Sequence, residues 1–253
     1  DHSISAPEGA VLTGDISYYI DGEKVESIFS GSKVGTYTFT VSYTGDPDFN
    51  DAVSAPVTIT VNKFVPIFMV IANNRTYGDH PHISLFTLRN NTIYGGISGI
   101  TVLVTINNMT YAVETTDFLG GVVLELNDLD ANEEGYSISA VTLETDEYAS
   151  VSNNTEVLKI YKVDTRLTID SDRVSLDYGE TSTLSHWITE GATGAVTYYL
   201  NGTAISGNVL SNLMPGNYTV TAKYEGDKNY KPADSENALN ITVKKINPRL
   251  SVS

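Results

Sequence analysis

The chain has 253 residues, 41% of them hydrophobic, with 31 acidic against 15 basic side chains and a formal net charge of -16. That charge repels DNA, RNA and anionic lipid, so the composition excludes a nucleic-acid partner. The absence of cysteine removes disulfides, thiolate metal sites and thiol nucleophiles, leaving packing to hold the fold. No apolar run reaches the length of a membrane span, and any export signal lies outside the opening Asp1-His2-Ser3.

Read in chain order, the first element is an alternating strand within Gly14–Gly22, ending in the turn pair Asp21-Gly22. A second follows in which Tyr37, Phe39, Val41 and Tyr43 alternate with Thr36, Thr38, Thr40 and Ser42, giving one apolar and one hydroxylated face. After the loop Gly45-Asp46-Pro47-Asp48-Phe49-Asn50-Asp51, the run Val57, Ile59, Val61 closes on Lys63. Middle strands are marked by Phe86, by Ile100, Val102, Val104 and Ile106, and by an excess between Asn107 and Leu129 whose apolar runs suggest an additional hairpin. From Gly194 the first pattern returns. Tyr18 and Tyr198 are 180 residues apart, and Tyr218, Val220, Ala222 and Tyr224 repeat the second strand. No stretch of ten residues has a helical period.

Self-similarity on this scale means serially joined units. Lys63, Lys162 and Lys245 each end an alternating strand and precede similar openings, which sets units at 1–62, 63–162 and 163–245 with a further opening strand at 246–253. The middle unit is the longest, 99 residues between its bounding lysines against 83 in the third, and so is the place to expect a ligand surface. Compared with the third unit, the first is expected to lack its opening strand, while Pro248, Leu250 and Val252 have the alternation of a strand able to complete such a unit in another molecule.

Each unit carries a glycine shortly before tyrosine at a strand start, at Tyr37, Tyr136 and Tyr218, where Ig-like sandwiches place a corner tyrosine bonded to backbone. The fold expected is all-β, a tandem of Ig-like antiparallel β-sandwiches. The pattern running from Gly216 through Tyr224-Glu225-Gly226-Asp227 to Ile241-Thr242-Val243-Lys244-Lys245 resembles the tandem Ig-like repeats of bacterial and archaeal surface proteins, most of all adhesin-like proteins of methanogenic archaea. It is full in the third unit, clear in the first and weak in the second, where Gly226-Asp227 has no equivalent. The resemblance implies an extracellular, cell-surface array whose partners are a protein or glycan of another cell, or copies of itself; it names no ligand.

Asn74, Asn90, Asn108, Asn153, Asn201, Asn217 and Asn240 begin Asn-x-Ser/Thr sequons and are candidate glycosylation sites. Asp46, Asp48 and Asp51 could offer oxygen ligands to calcium, but the later copy puts lysines in that loop, so an Asx turn is the better reading. His80 and His82 would share a strand side without a third ligand. Lys63, Lys162 and Lys245 also invite an amide cross-link to Asn or Asp. Tyr94, Tyr111 and Tyr148 are the aromatics for sugar stacking. The pairs Glu133-Glu134 and Asp128-Asp130 read as solvating charge. No nucleophile elbow, metalloprotease helix or phosphate loop occurs, so no catalytic residue and no cofactor is expected. The sequence thus points to a non-enzymatic adhesin-type stalk, with a strand-donating filament subunit or a carbohydrate-binding spacer of an extracellular enzyme as alternatives.

Overall fold

A computed structural model describes residues 3–26, 33–89, 95–115, 119–127 and 129–251. Among them there are 23 strands and no helix. The first five are β1 (Ile16–Ile20), β2 (Glu23–Val25), β3 (Gly35–Tyr43), β4 (Ala52–Val53) and β5 (Val57–Val61), in one sheet ordered β2-β1-β3-β4 with β5 also on β3. Next come β6 (Ile67–Asn73), β7 (Arg75–Thr76), β8 (His82–Leu88), β9 (Thr101–Ile106), β10 (Met109–Glu114), β11 (Gly121–Glu125), β12 (Asn132–Thr142), β13 (Ser152–Asn153) and β14 (Val157–Tyr161). These make a six-stranded sheet, β10-β9-β12-β14-β7 with β13 on β12, facing a three-stranded one, β11-β8-β6. The last group is β15 (Leu167–Ser171), β16 (Ser175–Asp177), β17 (Ser182–Ile188), β18 (Val196–Leu200), β19 (Thr203–Ala204), β20 (Val209–Leu210), β21 (Gly216–Tyr224), β22 (Ala233–Asp234) and β23 (Leu239–Lys244). It repeats the two-layer plan, with β15-β17-β20 facing β16-β23-β21-β18-β19 and β22 on β21. The chain is therefore built of all-β, Ig-like sandwich architecture. We use the units set by the lysines to describe it.

Alternation explains the cores. In the third unit Tyr198, Val220, Ala222, Tyr224, Ile241 and Val243 from one layer meet Leu167, Ile169, Leu184 and Leu210 from the other. In the middle unit Val102, Val104, Ile138, Ala140, Leu158 and Ile160 meet Val70, Ile83, Leu85 and Leu124. The corner tyrosines tie the strand that opens each major hairpin to the chain before it. Tyr37 donates to Lys33 O at 2.8 Å, Tyr136 to Asp130 O at 3.0 Å and Tyr218 to Met214 O at 2.8 Å.

The repeated hairpin has its turn written in its residues. Asp21 and Asn201 sit at φ 50° and 49°, each followed by a positive-φ glycine, which gives the turn hand that matches strand twist. Their side chains accept from Thr38 N at 2.6 Å and Thr219 N at 2.8 Å. The middle unit makes the corresponding turn with Asn107 and Asn108, at φ 49° and 61°. Its length does not form an additional hairpin. β10 pairs with β9 over six residues, where β19 pairs with β18 over two, and β11 crosses to pair with β8 in the opposite layer. Lengthened standard strands absorb the excess.

Candidate adhesive face and joints

One loop recurs in all three units, and in the second and third it lies where the chain arrives from the unit before. In the third unit Asp227 Oδ1 accepts from Asn229 N and Tyr230 N, both at 2.8 Å, and Asp227 N donates to Tyr230 O at 3.1 Å. In the first, Asp46 Oδ1 accepts from Asp48 N and Phe49 N at 2.9 Å, and Asp46 N donates to Phe49 O at 2.8 Å. The second oxygen of each carboxylate accepts from Thr193 N or Thr13 N, both at 2.8 Å. The middle unit builds the same turn with a hydroxyl, since Thr145 Oγ1 accepts from Glu147 N at 3.3 Å and Tyr148 N at 3.0 Å. Glu144-Thr145 stands there in place of the Gly-Asp pair, so sequence matching missed it; the shared signal is a side-chain acceptor three residues before an aromatic.

These loops grip the inter-unit lysines. Lys63 Nζ donates to Thr145 O at 2.6 Å and pairs with Glu144, while Phe64 N donates to Glu147 O at 2.9 Å and Ala149 N returns a bond to Phe64 O at 2.8 Å. One unit later Lys162 Nζ donates to Asp227 O at 2.7 Å, Val163 N to Asn229 O at 2.9 Å and Lys231 N to Val163 O at 2.9 Å. Among the described residues neither amine bonds an Asn or Asp side chain. Around the first joint Phe64 and Tyr148 meet edge to face at 6.2 Å, and the Arg89 guanidinium lies 5.7 Å and 5.3 Å from their ring centres. Tyr148 is thereby committed to the joint. The second joint adds unit-to-unit contacts: Asp130 pairs with Lys228 at 2.5 Å and accepts from Asn229 Nδ2 at 3.0 Å, Asn229 Oδ1 accepts from Ala131 N at 2.8 Å, and Tyr77 meets Tyr230 at 6.1 Å. Asp130 is thus a joint residue and not loose solvating charge.

The charge state of these groups follows from the same bonds. Thr13 N–H and then the Tyr43 hydroxyl hold the Asp46 carboxyl well below the usual carboxylate range. Burial pushes Asp227 up, but the N–H groups of Thr193 and Asn229 outweigh it and leave that carboxyl well below its usual value. The Lys228 ammonium beside Asp130 lowers that carboxyl and is itself raised.

Among the described residues no group of three or more His, Cys, Asp or Glu could hold a metal. Asp46 is saturated by donors, and Asp51 Oδ1 accepts from Gly45 N at 2.8 Å, while Asp48 is exposed in the same turn. His82 begins β8, but His80 precedes it and accepts at its carbonyl oxygen, 3.2 Å from His82 Nδ1, so the two do not form a paired set along one strand. Of the sequon asparagines, Asn74 accepts from Lys159 N, Asn153 from Thr155, Asn201 from Thr219 N and Asn217 from Thr242. Asn108 and Asn240 are exposed, and Asn90 lies outside the described residues. So do Tyr94, Asp128 and Val252. Tyr111 packs against the middle core, its hydroxyl 3.8 Å from Met109 Sδ. Glu133 accepts from Lys162 N at 3.3 Å.

The feature that sequence reading did not single out is the outer face of β11-β8-β6. Ile67, Met69 and Ile71 project from β6, in register with Leu88, Phe86 and Ser84 of β8, and Val123 of β11 extends the row. Met69 and Ile71 are 41% exposed and Val123 55%. Counting from the joint lysines, the corresponding outward positions of β15 are Arg166, Thr168 and Asp170. Along that first strand the middle unit is apolar where the third is polar, while Trp187 and Val209, 58% and 49% exposed, lie on the third unit's outer face.

No family model matches the sequence, and no curated protein matches it. Solved structures align with it at low identity and low TM-score. Fibronectin(III)-like modules of Clostridium thermocellum CbhA align at 13% identity and TM-score 0.30, over 74% of this chain and 100% of that one. A 1.5-MDa bacterial ice-binding adhesin aligns at 14% and 0.34, over 94% and 89%. An I-band fragment of titin aligns at 11% and 0.36, over 96% and 89%. Likeness at this level carries nothing about activity or ligand. No helix among the described residues is long and apolar enough to cross a membrane.

Proposed function

We propose that this chain is part of an extracellular, cell-surface stalk of serial Ig-like units, bounded at 1–62, 63–162 and 163–245, that carries an adhesive face on its middle unit. The Ile67-Met69-Ile71-Phe86-Val123 face supports this reading most. Solvent-facing positions of an antiparallel sheet are ordinarily polar, as Arg166, Thr168 and Asp170 are along the first strand of the third unit's matching sheet, and a row of apolar side chains is unfavourable in water unless something covers it. It carries a single aromatic, Phe86, only half exposed, so its chemistry suits an apolar patch on a protein of another cell better than stacking on a sugar ring. Gripped joints would hold successive units at a set angle and project that face, and many copies would add avidity to a weak single contact. The strand pattern of Gly216–Lys245 supports kinship with tandem Ig-like surface proteins of bacteria and methanogenic archaea.

The test exchanges the two faces. Beads coated with the chain carrying Met69→Thr and Ile71→Asp should lose at least about tenfold in binding to partner cells, with melting unchanged because both side chains already face water. Binding equal to that of the unaltered chain would sink the proposal.

A further inference from the structure

The sandwiches of the middle and third units differ along one seam. Val70 and Ile169 stand seven residues past their joint lysines, and across the strand pair they face Leu85 of β8 and His186 of β17. Leu85 is fully buried, because β11 pairs with β8 along the whole run from Gly121 opposite Phe86 to Glu125 opposite His82. In the third unit β20 pairs only with Ser182 and Thr183, and after the bond from Leu184 N to Asn208 O at 2.7 Å no strand continues along β17. His186 is exposed as a result. The opposite layer is cut back at the same place. β10 follows β9 as far as Glu114 opposite Thr101, whereas β19 ends with Ala204 opposite Tyr199 and one bond from Ile205 N to Tyr198 O at 2.9 Å. Val196, four residues before the end of its strand as Val102 is, therefore lacks the partner that Val113 gives Val102.

Between the two shortened edges lies an open cleft of about 550 Å³, walled by His186, Val196, Tyr198, Ile205 and Asn208 among others. His186 Nδ1 and the Tyr198 hydroxyl are 2.8 Å apart there, at positions held by Leu85 and Val104 in the middle unit. Alternate residues of a strand turn their N–H and C=O to the same edge. Leu184 N–H points to the β20 side, so the groups of His186 and Ile188 do as well, and among the described residues no strand pairs with them. In the middle unit the corresponding groups are taken, since Val122 lies opposite Leu85 and Thr87 N donates to Gly120 O at 2.9 Å. Val122 packs its side chain on the middle core. One unit thus holds, within its own chain, the strand that the other's seam leaves out.

We propose that this seam binds a short extended segment of a partner protein, which adds as a strand antiparallel to β17 opposite His186–Ile188 and sets one small apolar side chain against Val196, Tyr198 and Ile205. The open edge offers N–H and C=O groups at strand spacing, which a polypeptide matches and a compact small molecule does not. Backbone pairing supplies the affinity, and the cleft selects the side chain, as the middle unit does with Val122. Gly207 and Asn208 close the seam toward Leu184, which keeps the guest short. The net charge of -16 disfavours a second copy, so the segment belongs to a different protein and is free of acidic side chains. The site goes beyond the adhesive reading and shares no residue with the Met69 face, so either can fail alone.

The test is a titration of the isotope-labelled 253-residue chain with the end-blocked tetrapeptide Leu-Gly-Gly-Val, the sequence of residues 119–122, followed by amide NMR shifts. Shifts at His186, Ile188 and Val196 should saturate with a dissociation constant on the order of 1 mM, the strength expected of a few backbone bonds and one buried side chain. Methylating the peptide's valine nitrogen removes the N–H that meets His186 O and should weaken binding at least about tenfold without touching the protein. Replacing that valine by aspartate should do the same. On the protein, His186→Pro removes the matching N–H at an unpaired edge, where proline is tolerated, and Trp187 fluorescence reports whether the unit still folds. Should it not fold, the methylated peptide decides. No saturable shift at about ten times that concentration would overturn the proposal. Shifts that the methylated peptide reproduces, or that centre on the Met69 face, would overturn it too, because neither depends on an added strand.

Discussion

Leu167 and Leu250 occupy the same repeat position, five residues past a joint lysine, yet one is fully buried and the other almost fully exposed. A similar contrast separates the third unit's sheet from the first unit's. Val220 and Ile241 of the third unit are sealed, whereas Phe39 and Ile59 of the first are half-buried. An amphipathic strand specifies which of its faces needs cover but not what covers it, and a single sheet cannot hide both of its faces.

The largest expected effect comes from collapsing this difference. Leu167→Ala should destabilise the third unit by about 2–5 kcal/mol, the range for emptying a packed site, and Leu250→Ala should leave a single chain unchanged. Chemical unfolding followed by fluorescence of Trp187, the one tryptophan, reads the third unit. Equal responses at the two positions would break the comparison. Next in size is Gly194→Ala. A Cβ there would stand 2.6 Å from Gly226 O and 2.6 Å from the Tyr224 ring, and at the matching Gly14 1.8 Å from Thr44 O. Backbone cannot yield to either, so each change should cost about 1–3 kcal/mol in its own unit.

A smaller effect separates the loops by pH. Asp46 and Asp227 bind fewer protons folded than unfolded, because their carboxyls are lowered in the native turn. The stability they add is present above the unfolded carboxylate value of about 4 and is lost as pH falls through the folded one. Thr145 does the same work with a group that does not titrate there. Asp227→Thr, which installs the middle unit's solution, should cost about 1 kcal/mol near neutrality and flatten the third unit's acid sensitivity. An acid profile unchanged by that substitution would remove the carboxylate from the explanation.

Much of this was legible because it is local. The alternation of Tyr37 through Tyr43, the turn at Asp21-Gly22 and the recurrence of Lys63, Lys162 and Lys245 each require a particular backbone or a particular face, and the strands lie where those patterns put them. Other features lay beyond reach. Thr145 hid a turn that aspartate announces elsewhere, because a hydroxyl and a carboxylate offer the same acceptor under different letters. Asp130 read as surface charge until Lys228 and Asn229, nearly a hundred residues away, came to meet it.

By itself, then, the sequence determined the strands, their polarity, the repeat and the hand of its turns, all consequences of side-chain period and backbone sterics within a few residues. Only the tertiary structure decided which apolar faces are sealed and which meet water. Met69 and Val70 are neighbours of similar hydrophobicity, and nothing but the position of the opposite sheet makes one of them core and the other surface.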